Sequence, residues 1–111
     1  MPRSRVTTKA LKLFKAVGDK LGEANVLSSQ GQMYLPDDLD KANEFLNQAL
    51  QIYQKIGDGY SVPAQIGNYG WKLYRLGEHE KAKPYLLQAA DLFEKMGLMD
   101  YAERHRKAAG E

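Results

Sequence analysis

The chain has 111 residues, 43% of them hydrophobic and 27% charged, with a formal net charge of +2. This length and composition fit one soluble globular domain or one short repeat array. Cysteine is absent, which excludes disulfides, thiolate metal sites and cysteine nucleophiles.

The first predicted element is a basic helix over residues 4–17. Residues 1 to 20 carry six Lys or Arg against one Asp, a local charge of +5. Such a surface can meet acidic partners or nucleic acid, or it can be the solvated face of a helix. Apolar residues at helical spacing form a stripe along this segment: Val6, Ala10, Leu11, Phe14 and Val17.

The end of that segment, LFKAVGDK at 13–20, returns as IYQKIGDG at 52–59 and as LFEKMGLM at 92–99. A glycine follows the helical part of each copy, and glycine is the residue that most easily takes the left-handed conformation that ends a helix. We therefore predict helix ends at Gly18, Gly57 and Gly97. Asp19 and Asp58 follow the first two glycines and should cap the next helix, whereas Asp100 should do so after the third.

Five further helices are predicted at about 21–35, 39–56, 62–76, 79–96 and 100–109, making about six in all. The segments 21–35 and 62–76 each contain an interior glycine, at Gly31 and Gly70, which lie 39 residues apart. Glycine inside a helix costs about 1 kcal/mol relative to alanine, so its recurrence needs a packing reason. The segments 39–56 and 79–96 have wide amphipathic stripes with a small residue, Ala49 or Ala89, four positions before an aromatic.

The stretch GNYGWKLYRLGEHEKAKPYLLQAADLF carries the clearest family pattern. With small residues at Gly70, Ala82 and Ala89 and a turn glycine at Gly77, it resembles the tetratricopeptide repeat family, in its subclass of about 40-residue repeats. The first unit departs from the family because its turn, at residues 36–38, lacks glycine. The resemblance implies an all-α solenoid of antiparallel helix pairs in a right-handed superhelix. One array would span 1–111, with a half repeat at 4–19, full repeats at 20–58 and 59–97, and a half repeat or capping helix at 98–111.

The resemblance also implies a function, that of a scaffold without catalytic activity that binds a peptide or protein segment in the concave groove. The first helix of each pair lines that groove in this family. Amide side chains there could bond an extended backbone, and Trp71 and Tyr74 could supply apolar contact or simply fill space between repeats. A carboxylate-binding clamp found in some members is incomplete here, because only Asn68 matches it. The expected groove residues are Asn25, Ser28, Gln32, Asn68, Trp71, Tyr74 and Arg106.

No pattern in the sequence predicts an enzyme, a cofactor or a metal. His79 and His105 lie among charged neighbours, and no nucleophile with a matching base accompanies them. The acidic groups at 37–40 and 78–80 fit the preference of carboxylates for helix N-termini. No glycine-rich phosphate loop is present, since the glycines are spread at helix ends.

The sequence allows two other kinds of partner, nucleic acid and a second copy of the chain. Nucleic acid is the alternative ligand, because basic residues recur near both ends, but residues 21 to 98 sum to −3 and would interrupt a phosphate track. Self-association is the other, since the first and last predicted helices each lack a partner; the last helix either caps the array or pairs with another molecule's first helix. The basic residues are Arg3, Arg5, Lys9, Lys12 and Lys15, followed much later by Arg104, His105, Arg106 and Lys107.

No apolar run approaches the roughly 18 residues of a membrane span, and the first residues lack the apolar core of a signal peptide. We therefore expect a cytoplasmic protein with no membrane partner. The absence of cysteine suits a reducing compartment.

Overall fold

The computed structural model describes residues 19–111, and this part of the chain is helical without any strand. Its helices are α1 (Lys20–Gln32), α2 (Leu39–Lys55), α3 (Ser61–Arg75), α4 (His79–Lys95) and α5 (Met99–Ala108). The all-α prediction is confirmed for these residues. The helix predicted at 4–17, with its apolar stripe, its basic residues and the Gly18 helix end, lies outside the described residues.

Helix α1 ends earlier than the predicted residue 35. The Tyr34 and Leu35 amides donate to the Gly31 and Gln32 carbonyls at 3.1 and 3.2 Å, a tightened turn with bonds three residues apart. Leu35 precedes Pro36, and the proline ring disfavours the helical conformation in the residue before it. The chain therefore leaves the helix before the proline.

The predicted glycine helix ends are confirmed at Gly57 and Gly97, which have φ of 77° and 79°. At the first end the Asp58 amide donates to the Tyr53 carbonyl at 2.9 Å, and at the second the Leu98 amide donates to the Phe93 carbonyl at 2.9 Å. This six-to-one bond is the Schellman arrangement, which needs a left-handed residue just past the helix. The repeated sequence thus builds the same turn twice.

Aspartate caps begin the first three helices, as predicted for two of them. Asp19 accepts the Gly22 amide at 2.9 Å, and Asp58 accepts the Ser61 amide at 3.1 Å. Asp38 does the same for α2, accepting the Lys41 amide at 3.0 Å. The predicted Asp100 cap is wrong, because α5 begins immediately after Leu98 and Asp100 already lies in its first turn. There its carboxylate still suits the positive end of the helix dipole.

Each helix packs on the next one along the chain. Contact is most extensive between α1 and α2 and between α3 and α4, is also large between α4 and α5, and is smaller between α2 and α3. Helix α1 additionally touches α3. Because the connecting turns are short, consecutive helices run in roughly opposite directions.

The two interior glycines have the packing role that their recurrence predicts. A Cβ on Gly31 would lie 2.9 Å from both the Ala42 carbonyl oxygen and the Phe45 Cβ, and one on Gly70 would lie 2.8 Å from Leu86 Cγ. Real Cβ atoms do not approach so closely, so each glycine lets its helix pack tightly on the following one.

Burial follows the same spacing along the chain. Buried positions in α2 recur 40 residues later in α4, as for Leu46 and Leu86. Three buried positions in α1 recur at intervals of 39 residues in α3 and then in or just after α5, where a histidine replaces aliphatic residues in one series. These series are Ala24, Pro63 and Ala102; Leu27, Ile66 and His105; and Gly31, Gly70 and Ala109.

Helices α1 to α5 are all too short or too polar to cross a bilayer.

Candidate functional site

A cavity of about 270 Å³ opens between α3 and α5. It lies on the side of α3 that the sequence assigned to the groove, since Asn68 and Trp71 both line it. Aromatic side chains from the α2–α3 turn, α4 and α5 supply most of the remaining wall. The complete lining is Tyr60, Ala64, Asn68, Trp71, Phe93, Tyr101, Arg104 and His105.

Trp71 and His105 form a fixed pair in this wall. The Trp71 indole N–H donates to His105 Nε2 at 3.1 Å, and His105 Nδ1 lies 2.7 Å from the Tyr101 carbonyl oxygen. An indole N–H can only donate and a carbonyl can only accept, so both bonds form only when the imidazole is neutral with its proton on Nδ1. His105 is 7% exposed and has both ring nitrogens occupied. It therefore shapes the wall and offers no free base or metal ligand.

Gly67 makes room for this histidine. A Cβ at Gly67 would lie 2.6 Å from His105 Nε2 and 3.1 Å from His105 Cδ2. Any larger residue would push the imidazole away from Trp71. The glycine on α3 therefore sets how closely α5 approaches at the cavity.

Three further rings close the other side of the cavity. The Phe93 ring centroid lies 5.2 Å from that of Tyr101 and 5.1 Å from that of His105. Tyr60 packs against both, with centroids 6.0 Å from Phe93 and 6.4 Å from Tyr101. A hydrogen bond with Tyr101 raises the pKa of the Tyr60 phenol. The rings brace one another and offer an apolar recess.

The rim carries one amide and one cation. Asn68 and Arg104 are both exposed. Within residues 19–111, Arg104 makes no ion pair, whereas Arg106 pairs with Asp91 at 3.0 Å and Glu94 at 2.8 Å. These two carboxylates also raise the pKa of Arg106, the hydrogen bond with Glu94 being the larger cause. Arg104 is thus the cation available to a ligand.

The other residues expected in the groove lie elsewhere or are engaged internally. Asn25 is exposed but accepts the Tyr53 hydroxyl, and Ser28 is 1% exposed with its hydroxyl donating to Gln65 Oε1 at 2.6 Å. Gln32 is half-buried, and its backbone carbonyl accepts a hydrogen bond from the Lys72 ammonium at 2.6 Å.

Tyr74 and Arg106 lie beside the cavity without lining it. Tyr74 is 37% exposed, stacks on His79 with centroids 4.6 Å apart and meets the Trp71 ring edge to face at 5.8 Å. Arg106 links α5 to α4 through Asp91 and Glu94. Of the seven residues expected in the groove, the structure brings together Asn68 and Trp71 at the cavity.

Sequence reasoning missed most of the cavity wall. Tyr60 comes from the α2–α3 turn, Phe93 from α4 and Tyr101 from α5, so no motif joins them. The burial of His105 had a detectable signal, because it stands 39 residues after Ile66 in a series of buried positions. The charged residues on either side of His105 in the sequence instead suggested an exposed basic cluster.

A second recess of about 460 Å³ lies between α2 and α4. Its side chains are mainly aliphatic and amide, and the Tyr85 hydroxyl spans it by donating to Asn43 Oδ1 at 2.5 Å. Its cation, Lys81, already contacts the Pro36 carbonyl at 3.4 Å and Glu78 at 3.9 Å. This recess is larger but offers a ligand no free charge.

In the part of the chain from residue 19 onward, no three His, Asp or Glu side chains come together in a way that could hold a metal ion. The acidic group at 37–40 instead supplies the α2 cap through Asp38.

Comparisons with models of known families, with curated proteins and with solved structures found no match.

Proposed function

We propose that this chain is a protein–protein interaction scaffold of tetratricopeptide-repeat type, which binds a peptide or protein segment on the face formed by α1, α3 and α5. The observation that carries the proposal is the cavity between α3 and α5, with exposed Asn68 and half-buried Trp71 in its wall. Aromatic anchors beside polar groups are typical of protein-binding surfaces.

The helix arrangement supports the repeat assignment. Helix pairs α1–α2 and α3–α4 are joined through α1–α3 and α2–α3 contacts, as expected when successive pairs stack. Buried positions recur 39 residues apart between α1 and α3, the first helices of the two pairs, and 40 residues apart between α2 and α4, the second helices. In this proposal α5 stands as the first helix of a further unit or as a cap.

The proposal assigns no catalytic step to the chain. The one histidine at the cavity has both nitrogens in hydrogen bonds, with Trp71 and with the Tyr101 carbonyl. Of the cluster at 104–107, Arg106 and Lys107 pair with carboxylates, Lys107 with Glu103 at 3.1 Å. This neutralisation weakens the alternative of a nucleic-acid-binding regulator, which needs unpaired cations along a track.

Selection from a random displayed-peptide library against the immobilised full chain tests the proposal. Affinities of the selected peptides are then measured by calorimetry for the unchanged protein and for Asn68→Ala and Trp71→Ala. We expect Trp71→Ala to weaken binding at least about tenfold, as for an aromatic hot spot, and Asn68→Ala about threefold. Circular dichroism confirms that both variants are folded.

Asn47→Ala is the matched control, because Asn47 is an exposed amide in the recess between α2 and α4. It should leave affinity unchanged. If Trp71→Ala and Asn68→Ala both bind within twofold of the unchanged protein, the face is wrongly assigned. Selection of no peptide, together with salt-sensitive binding of RNA or DNA, would support the nucleic-acid alternative instead.

A further inference from the structure

We propose that the cavity between α3 and α5 receives one aromatic or large aliphatic side chain of a peptide, and that Arg104 binds the carboxylate of a neighbouring Asp or Glu in that peptide. This inference rests on the proposed function and specifies its ligand. It therefore predicts a short recognition element that combines an acidic residue with an aromatic or large aliphatic residue.

The size of the cavity limits its occupant. Its volume of about 270 Å³ lies just below the range of roughly 300 to 1,000 Å³ typical of sites for whole small molecules and cofactors. One large side chain is the better match. The braced rings of Tyr60, Phe93 and Tyr101 favour an apolar group with a flat or branched surface.

The charges that line the cavity determine whether the peptide residue next to the anchor side chain is acidic or basic. The lining contains Arg104 but no carboxylate, and both ring nitrogens of His105 are occupied by hydrogen bonds within the protein. Aromatic walls alone could attract a cation, but an unpaired guanidinium at the rim repels one and attracts an anion. Asn68 can add a donor from α3 to the same anion.

The anion is a side-chain carboxylate rather than a chain terminus. Capture of a C-terminal carboxylate generally uses several converging donors, such as a nest of backbone N–H groups. The lining residues Ala64, Asn68 and Trp71 on α3 and Arg104 and His105 on α5 lie beyond the first turns of their helices, so their backbone N–H groups are already bonded within the helices. A single guanidinium with one amide suits an acidic side chain next to the apolar anchor.

The chain contains its own reporter for this site. Trp71 is the single tryptophan in the sequence, and its indole N–H donates into the cavity wall at His105. The one indole cross-peak in an ¹H–¹⁵N correlation spectrum therefore reports on the cavity. Titration of the ¹⁵N-labelled full chain with synthetic peptides gives affinities from that peak.

The probes are short peptides acetylated at the N-terminus and amidated at the C-terminus, with Glu-Phe-Glu in a Gly-Ser background. Matched probes carry Gln-Phe-Gln or Glu-Ala-Glu, and another ends in Phe with a free carboxylate. We expect the Glu-Phe-Glu probe to bind about fivefold more tightly than the Gln-Phe-Gln probe, the scale of an exposed charge pair. The Glu-Ala-Glu probe should shift the indole peak least.

Arg104→Gln should remove the preference for Glu-Phe-Glu while leaving affinity for Gln-Phe-Gln within twofold. Lys83→Gln is the charge-matched control, because Lys83 is exposed on α4 away from the cavity lining. It should retain the full preference. A preference retained by Arg104→Gln would overturn the assignment of that residue.

The remaining outcomes separate this inference from the proposed function. Equal binding of Glu-Phe-Glu and Gln-Phe-Gln would overturn the acidic preference and leave a peptide-binding cavity in place. Tightest binding of the probe with a free carboxylate would overturn the choice of a side-chain anion. If neither these probes nor library-selected peptides moved the indole peak, both the inference and the proposed binding face would be wrong.

Discussion

The junction between α1 and α3 is closed by hydrogen bonds, whereas the junction between α3 and α5 leaves a cavity. In the closed junction the Tyr69 hydroxyl donates to the Ser28 carbonyl at 2.7 Å, and the Ser28 hydroxyl donates to Gln65 at 2.6 Å. In the open junction Gly67 stands 39 residues after Ser28 and offers no side chain to bond. Ser28 thus bonds α1 to α3 at the closed junction, whereas Gly67, at the equivalent position in α3, leaves room for His105 at the open junction.

This difference shows that equivalent positions in neighbouring helices can form different local structures. The closed junction directs its polar groups inward, where Ser28 is buried. The open junction exposes Asn68 and Arg104 beside an apolar recess. Similar helix positions therefore produce a sealed contact at one junction and an open recess at the other.

Gly31→Ala should disrupt the closed junction most. The added Cβ would lie 2.0 Å from the Tyr69 hydroxyl oxygen and 2.9 Å from the Ala42 carbonyl oxygen, and the backbone atom cannot move aside alone. We expect the free energy of unfolding to fall by about 3 kcal/mol, since overpacking outweighs the better helix propensity of alanine. Urea denaturation measures it.

Gly59→Ala is the control for that substitution, because nothing lies within 4 Å of its Cβ position. It should change stability by less than about 0.5 kcal/mol, as for other surface sites. A Gly31→Ala variant as stable as Gly59→Ala would contradict the close approach of α1 to its neighbours.

Tyr69→Phe should weaken the same junction by removing one buried hydrogen bond. The Tyr69 side chain is 0% exposed, and its hydroxyl donates to the Ser28 carbonyl. We expect a loss of about 1.5 kcal/mol in the free energy of unfolding. Tyr74→Phe, at a tyrosine 37% exposed, should be nearly neutral in the same denaturation experiment. Equal effects would mean that the Tyr69 hydroxyl does not hold the junction.

Gly67→Ala adds a methyl group at the open junction, as Gly31→Ala does at the closed junction. It should lower the free energy of unfolding by less. Its Cβ would meet the tip of the His105 ring at 2.6 Å, and that ring can shift toward the cavity. We expect a net loss of about 1 kcal/mol, because a partly relieved clash is offset by improved helix propensity. The Trp71 indole peak should move as its bond to His105 lengthens. A loss as large as that of Gly31→Ala would show that the second junction is equally rigid.

Tyr53→Phe tests a smaller difference between equivalent positions. Phe93, 40 residues after Tyr53, has no hydroxyl. Burial first, and then the charge of Asp58, raise the pKa of Tyr53 from 10.0 to about 12. A raised folded-state pKa means that its contribution to stability is intact below pH 10 and is lost as pH rises toward about 12. The phenylalanine variant should therefore unfold at a higher alkaline pH, which far-ultraviolet circular dichroism measures.

Tyr74→Phe is again the control and should leave the alkaline transition in place. If Tyr53→Phe unfolds at the same pH as the unchanged protein, ionisation of Tyr53 does not drive the transition. The buried phenols of Tyr69 and Tyr85, whose pKa values burial also raises, would then be the next to replace.

Local sequence chemistry accounts for helices α1 to α5, for most of their ends and for the spacing between equivalent positions. These features depend on local chemistry: Gly57 and Gly97 take a left-handed conformation, Asp58 bonds the next helix, and Gly31 and Gly70 remove a side chain where helices approach. Such signals act within a few residues or recur at a fixed interval. They could therefore be read without knowing which helices meet.

Which side chains form the candidate site depends on packing between distant parts of the chain. Ser28 has a residue type that suits a ligand, but it is buried and its hydroxyl bonds to Gln65 on α3. Tyr60, Tyr101 and Arg104 come together because α5 packs on α4 and lies across Gly67 of α3. That placement depends on the summed packing of distant residues, and no local pattern in the chain records it.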